Sequence, residues 1–203
     1  MTRILWLAPA FALAALAQSN PEMTREGPYW VETVTGSAPA AASLKVIGVG
    51  AVRVEGGTRG DVAYSLRRRA KAPDRASARA LLDRIVVRTS QEGAWTVIGV
   101  EASEGPRVSA DLQLQVPRSL REVAVASRGG ALSLSDLDGA VRADTAGGAV
   151  DIDRVGGAVT VHTGGGGVRL GKIGGNATCW SGGGTITADS LGGEAVLNTG
   201  GGE

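Results

Sequence analysis

The distal part of the chain alternates apolar and polar positions inside a strict longer period. From Val123 to Glu203 it divides without a gap into nine nonamers: VAVASRGGA, LSLSDLDGA, VRADTAGGA, VDIDRVGGA, VTVHTGGGG, VRLGKIGGN, ATCWSGGGT, ITADSLGGE and AVLNTGGGE. Positions one and three are apolar, as in Val123 and Val125, Leu132 and Leu134, Val150 and Ile152, Val159 and Val161. Position two is mostly polar, and such period-two alternation marks a strand with one buried face. Positions seven and eight are Gly-Gly in every copy but the second, where Asp138 precedes Gly139. Each nonamer therefore predicts one short strand and one tight corner, with the glycines expected to supply a positive φ.

Odd and even copies differ, which doubles the period. Position five of the odd copies is Ser127, Thr145, Thr163, Ser181 and Thr199. Even copies instead place Leu137, Val155, Ile173 and Leu191 at position six, beside Asp136, Arg154, Lys172 and Ser190. One corner thus predicts a hydroxyl ladder and the other an aliphatic ladder with its polar groups outward. Two corners per repeat predict an all-β fold, a flattened parallel β-solenoid (β-helix) with about 18 residues per coil, successive coils about 4.8 Å apart. Leu134, Ile152, Leu170 and Ala188, eighteen residues apart, should stack inside one wall.

Upstream the pattern loosens. Residues 18–43 are rich in Pro, Ala, Ser and Thr and predict a flexible linker or irregular segment, with a short pairing strand around Tyr29, Trp30, Val31 and Val34. Residues 44–122 predict irregular strands that start the same stack. These are Leu44–Val49, Ala51–Glu55, Asp61–Arg68, Ile85–Thr89, Trp95–Glu101 and Val108–Val116. Pro73-Asp74 opens one short helix with Ala78, Leu81, Leu82 and Ile85 on one side.

The first residues read as an address. Arg3 precedes an apolar run from Ile4 to Leu16, and Ala15-Leu16-Ala17 is a small-x-small cleavage site. This is the layout of a signal peptide over residues 1–17, with a mature chain from Gln18. The run is too short to span a bilayer, which takes about 20 residues, so no membrane span is expected. The expected location is secreted, periplasmic or cell surface.

Composition narrows the function classes. The formal net charge is +1, and no basic excess points to nucleic acid. The chain has 32 Gly but no G-X-Y period, which excludes collagen. Its apolar share of 43% exceeds that of a disordered tail. A lone Cys179 makes no internal disulfide, and a lone His162 makes no multi-His metal site. Cys179 falls at an inward position and reads as a small core residue.

The layout resembles the bacterial putative-adhesin family, a domain of unknown function built of β-strand repeats. The features that carry the resemblance are the signal peptide, the opening strand LKVIGVGAVRVEGG and a strand–helix–strand insert. The Val116-Pro117 step and the repeats LSLSDLDGAVRADTAGGAVDIDRVGGAV complete it, over roughly residues 44–203. The resemblance implies an exported parallel β-solenoid and carries over no catalytic residues.

A calcium β-roll needs G-G-x-G-x-D-x-U-x, but after Gly147-Gly148 the third Gly is replaced by Val150 and the ligand Asp by Ile152. No metal or other cofactor is therefore expected. Asp151, Asp153, Arg169 and Asp189, with Arg154 and Lys172 nearby, mix both charges and read as solvated ion pairs rather than a lyase or hydrolase centre. His162 and Asp144 occupy one position in neighbouring coils, with no identified serine nucleophile to complete a triad. Arg67-Arg68-Arg69-Ala70-Lys71 reads as a solvated strand end.

The binding candidates lie in the outward row of the odd copies: Asp144, His162, Trp180 and Asn198, with Arg142 beside them. A Trp among polar groups stacks on a sugar ring or anchors a protein. The expected function is an exported, non-catalytic, adhesin-like β-solenoid presenting a surface for cell-envelope or extracellular interaction. Its expected partner is a glycan or a cell-surface protein. The alternatives are a carbohydrate-active enzyme on a β-helix scaffold and a structural or signalling accessory module. The chain stops at Gly201-Gly202-Glu203, after a corner and with no capping element. That predicts a truncated product, or self-association through the uncapped coil.

Overall fold

A computed structural model describes residues 22–102 and 107–202. The expected signal peptide, residues 1–17, and its expected cleavage site lie outside the described residues. The rest is mostly β, with one helix and two mixed sheets.

The expected linker is instead largely paired backbone. Strand β1 (Thr24–Glu26) pairs antiparallel with β2 (Tyr29–Pro39), whose eleven residues extend well beyond the short strand expected. β2 runs antiparallel to β5 (Asp61–Lys71), which in turn runs antiparallel to β8 (Val108–Pro117). The reason is a buried charge cluster that composition conceals. Glu32 on β2 is fully buried and ion-paired to Arg68 on β5 and, at 2.7 Å, to Arg79 of helix α1 (Arg75–Leu82). Arg68 also donates to Leu82 O at 3.0 Å and Ile85 O at 2.6 Å, tying the helix end to the sheet. Helix α1 starts at an Asp74 cap that accepts from Ser77 N, and it buries Ala78 and Leu82. The Arg67–Lys71 segment is therefore no free basic patch. Arg67 pairs with Glu26, Arg69 pairs with Asp111, and Arg68 is buried.

The remaining strands belong to the same two sheets and alternate between them from β9 onward. They are β3 (Ser43–Gly48), β4 (Val52–Gly57), β6 (Val86–Glu92), β7 (Trp95–Glu101), β9 (Glu122–Ser127), β10 (Leu132–Leu137) and β11 (Ala140–Thr145). β12 (Val150–Val155), β13 (Val159–Thr163), β14 (Val168–Ile173), β15 (Ala177–Ser181), β16 (Ile186–Leu191) and β17 (Ala195–Thr199) follow. One sheet runs β1-β2-β5-β8-β4-β10-β12-β14-β16 and the other β17-β15-β13-β11-β9-β3-β7-β6.

From β9 onward each strand pairs in parallel with the strand two further on, in a register of eighteen residues. Leu134 faces Ile152, Ile152 faces Leu170, and Leu170 faces Ala188. The stack is not purely parallel, because β1, β2, β5 and β6 add antiparallel pairs. Nor is it in chain order. The layer formed by β3 and β4 sits between the β7–β8 layer and the β9–β10 layer.

The core fills the space between the sheets. Leu134, Ile152, Leu170, Val125, Ala143, Val161 and Cys179 are all buried, as are Leu137, Val155 and Ile173 at the aliphatic corner. Burial pushes the Cys179 thiol up to about 11, as suits a core residue rather than a nucleophile. The hydroxyl ladder also forms, but each hydroxyl reaches backbone. Ser127, Thr145, Thr163, Ser181 and Thr199 donate to Gly50 O, Gly130 O, Gly148 O, Gly166 O and Gly184 O of the adjoining layer.

The corner glycines correct one expectation. Among the described residues the only positive-φ glycines are Gly27 and Gly93, both outside the nonamers. The repeat glycines instead answer to close approach between layers. A Cβ on Gly148 would lie 2.0 Å from Gly130 O, and one on Gly166 would lie 2.0 Å from Gly148 O. Positive φ falls on Asp136 (61°) and Arg154 (52°), one above the other. Arg154 holds Asp136 through two bonds of 2.6 and 2.7 Å, which offsets part of the cost of that conformation.

Candidate functional site

The outward side chains of the eight-stranded sheet line up in two rows. One runs Gly99, Ile47, Ala126, Asp144, His162, Trp180, Asn198, from β7 across to β17. The other runs Val97, Lys45, Ala124, Arg142, Thr160, Thr178, Val196. Strict parallel register forces these alignments, since a given repeat position meets itself one layer on.

Three of the expected residues form one unit. His162 Nδ1 lies 3.0 Å from Asp144 Oδ1. A carboxylate only accepts, so Nδ1 is the donor in this contact. The His162 ring stacks on Trp180 with centroids 4.6 Å apart and an interplanar angle of 4°. That separation matches the spacing of neighbouring strands, so the rings stand side by side along the stacking direction. Trp180 is thus not an isolated surface aromatic. It is 40% exposed, braced on one face by His162 and facing the Asn198 position on the other. Arg142 joins from the second row, with Nε 2.9 Å from Asp144 Oδ2.

A groove of about 640 Å³ runs beside this row, lined by Ile47, Ala126, Asp144, His162 and Trp180. Its other side is formed by Arg128, Ala146, Gly164 and Gly182, position six of successive odd copies. These residues were missed at the sequence level, although the signal was present. Position six shrinks from Arg to Ala to Gly just where position four grows from Ala to Asp, His and Trp. Arg142 lies outside this groove and lines a second one of about 430 Å³ with Lys45, Trp95, Ala124, Ala126 and Asp144. Asn198 neighbours Trp180 but is not among the groove residues.

The nearby hydroxyls of Thr145, Thr163 and Ser181 are each committed to a glycine carbonyl, so none is poised toward His162 as a nucleophile. On the opposite outer face the charges pair as expected: Arg169 with Asp189 at 2.7 Å, and Arg154 with Asp136. Arg154 holds the Asp136 carboxyl below the usual range, and the Lys172 N–H does the same for Asp153. Among the described residues there is no group of three or more His, Cys, Asp or Glu placed to hold a metal, and no helix long and apolar enough to cross a membrane.

No family model and no curated protein matches the chain. Among solved structures it is similar to a putative cell adhesion protein from Clostridium sporogenes, with 10% identity and a TM-score of 0.48 over 83% of this chain and 98% of that one. It is also similar to a putative lipid binding protein from Parabacteroides distasonis, with 12% identity and a TM-score of 0.42 over 83% and 96%. It is likewise similar to a putative adhesin from Bacteroides fragilis, with 12% identity and a TM-score of 0.39 over 83% and 95%.

Proposed function

We propose that the chain is an exported, non-catalytic, adhesin-like parallel β-solenoid that presents the outer face of its eight-stranded sheet to a glycan or a cell-surface protein. The solenoid reading rests on the eighteen-residue register repeated from β9 to β17. The export reading rests on the pattern of residues 1–17. One observation carries the binding reading: a half-exposed Trp180, stacked on His162, which is itself fixed by Asp144, all beside an open groove. An aromatic held rigid before the ligand arrives gives up little side-chain entropy on binding.

Two measurements test this. Mass spectrometry of exported protein is expected to find Gln18 at the N-terminus, and Met1 in mature material would sink the export reading. The purified chain from Gln18 onward is then screened on a glycan array and against bacterial surface proteins. Binding without turnover is expected, weakened by about 2 kcal/mol or more in Trp180→Ala. Turnover of a bound glycan would favour an enzyme instead.

A further inference from the structure

Resting on the reading that this groove is a binding site, we infer that its ligand is an oligosaccharide lying along the stacking direction, across the strands. The groove is elongated. Its wall passes from Ile47 on β3 through β9, β11 and β13 to Trp180 on β15. Four strand spacings make that about 19 Å. A single sugar ring fills only one end of such a trench, whereas a chain molecule occupies its length.

The floor rules on which kind of chain. A peptide binding by strand addition needs a free edge of alternating N–H and C=O groups. Three backbone donors along the side opposite Trp180 are already used. Ala146 N bonds Ser127 O, Gly164 N bonds Thr145 O, and Gly182 N bonds Thr163 O. The adjacent hydroxyls are committed as well. An acyl chain would cover the Asp144 carboxylate and the His162 ring without offering either a partner, which is costly. A glycan meets each requirement. Its ring C–H faces pack on Trp180, and its hydroxyls, which both donate and accept, pair with His162 Nε2 and with the open side of Asp144 Oδ2. Asp144 is already compensated by Arg142, so the wall calls for hydroxyls rather than a ligand charge.

Position six supplies the decisive variant. Arg128 occupies that position in the β9 corner, so the corner accommodates an arginine there. Ala146 is the same position one layer on and is exposed. Ala146→Arg fills the trench midway, and Trp180→Ala removes the platform at its end. Arg169→Ala on the opposite outer face serves as the control. Each variant, checked for wild-type melting behaviour, is applied to an array running from single sugars to hexasaccharides of neutral, N-acetylated and uronic series, with sodium palmitate as a competitor.

The expected result is binding only from about trisaccharide length upward, weakened about thirtyfold or more by both groove variants and unchanged in the control. If Ala146→Arg fails to fold, Trp180→Ala and the length series decide the matter. Single sugars bound as tightly as hexasaccharides would overturn the inference while leaving a glycan-binding function in place. So would palmitate displacing the bound sugar, or Trp180-dependent capture of a surface protein with no sugar bound. If neither glycans nor surface proteins bind, the proposed function falls together with it.

Discussion

Gly147 and Gly148 are neighbours in sequence and look equivalent in the repeat, yet replacing each by alanine should have opposite consequences. A Cβ on Gly147 meets nothing within 4 Å, and its φ lies outside the left-handed range. A Cβ on Gly148 would lie 2.0 Å from Gly130 O and 2.4 Å from Gly130 C, both backbone atoms of the adjoining layer. Ordinary contact begins near 3.4 Å, so the two corners must separate by more than an ångström. Three bonds cross or anchor that corner: Thr145 Oγ1 to Gly130 O at 3.2 Å, Thr163 Oγ1 to Gly148 O at 3.0 Å, and Leu132 N to Ala149 O at 2.9 Å. Losing two or three of them at about 1 kcal/mol each, with added packing loss, gives about 2–4 kcal/mol. For a chain of this size that lowers the Tm by about 5–15 °C. Gly147→Ala should leave stability unchanged or raise it by about 0.5 kcal/mol, because alanine restricts the unfolded chain. Thermal melts and urea titrations followed by circular dichroism measure both. Equal midpoints for the two variants, or a lower one for Gly147→Ala, would refute the claim that approach between layers selects these glycines.

Three further outcomes are expected. Ile152→Asp, which puts an unpaired charge between buried layers, should cost several kcal/mol, while Arg142→Ala on the outer face should cost less than about 0.5 kcal/mol. Chemical denaturation reads the difference. Glu32→Ala leaves Arg68 buried without its carboxylate and should cost about 3–5 kcal/mol, whereas Glu26→Ala, which breaks an exposed pair with Arg67, should cost under about 1 kcal/mol. Asp136 has a folded pKa below its unfolded value, so its contribution is present above about pH 4 and is lost as pH falls through the lower folded value. Between pH 5 and pH 2 the wild type should therefore lose more Tm than Asp136→Asn, and added salt should narrow the gap. Parallel pH curves would remove Asp136 from the account.

The register of the repeats was legible in the sequence because it is local. A period of two fixes which face is buried, a period of eighteen fixes which residues meet, and Leu134, Ile152 and Leu170 follow from counting. The helix was legible for the same reason, from Asp74 and the spacing of Ala78 and Leu82, although Ile85, expected on the same side, is buried beyond the helix end. Strand β2 was understated because its burial depends on partners far away. Glu32 reads as a surface residue until Arg68 and Arg79 are placed beside it. The glycines were seen but given the wrong cause, since sequence cannot separate a demand for positive φ from a lack of room for a side chain. The outward row of Asp144, His162 and Trp180 was found as a row. The groove beside it was not, because a groove is defined by what is small, and Ala146, Gly164 and Gly182 looked like more of the same corner.

The placement of β3 and β4 bears on how the chain assembles. These strands are made early, yet they end up with later strands on both sides, β7 and β8 on one and β9 and β10 on the other. The stack therefore cannot grow simply in the order of synthesis. The segment from Ser43 to Gly57 must wait, apolar on its inner face, until more than sixty further residues have emerged. Pairings this far apart in sequence carry a loop-closure cost that slows folding. Once that layer is sandwiched, each repeat needs only the one before it as a template, and growth toward β17 becomes a series of nearest-neighbour steps. The molecule thus joins a slow, long-range nucleation to a fast, local propagation, with Ser43–Gly57 as the seam between them.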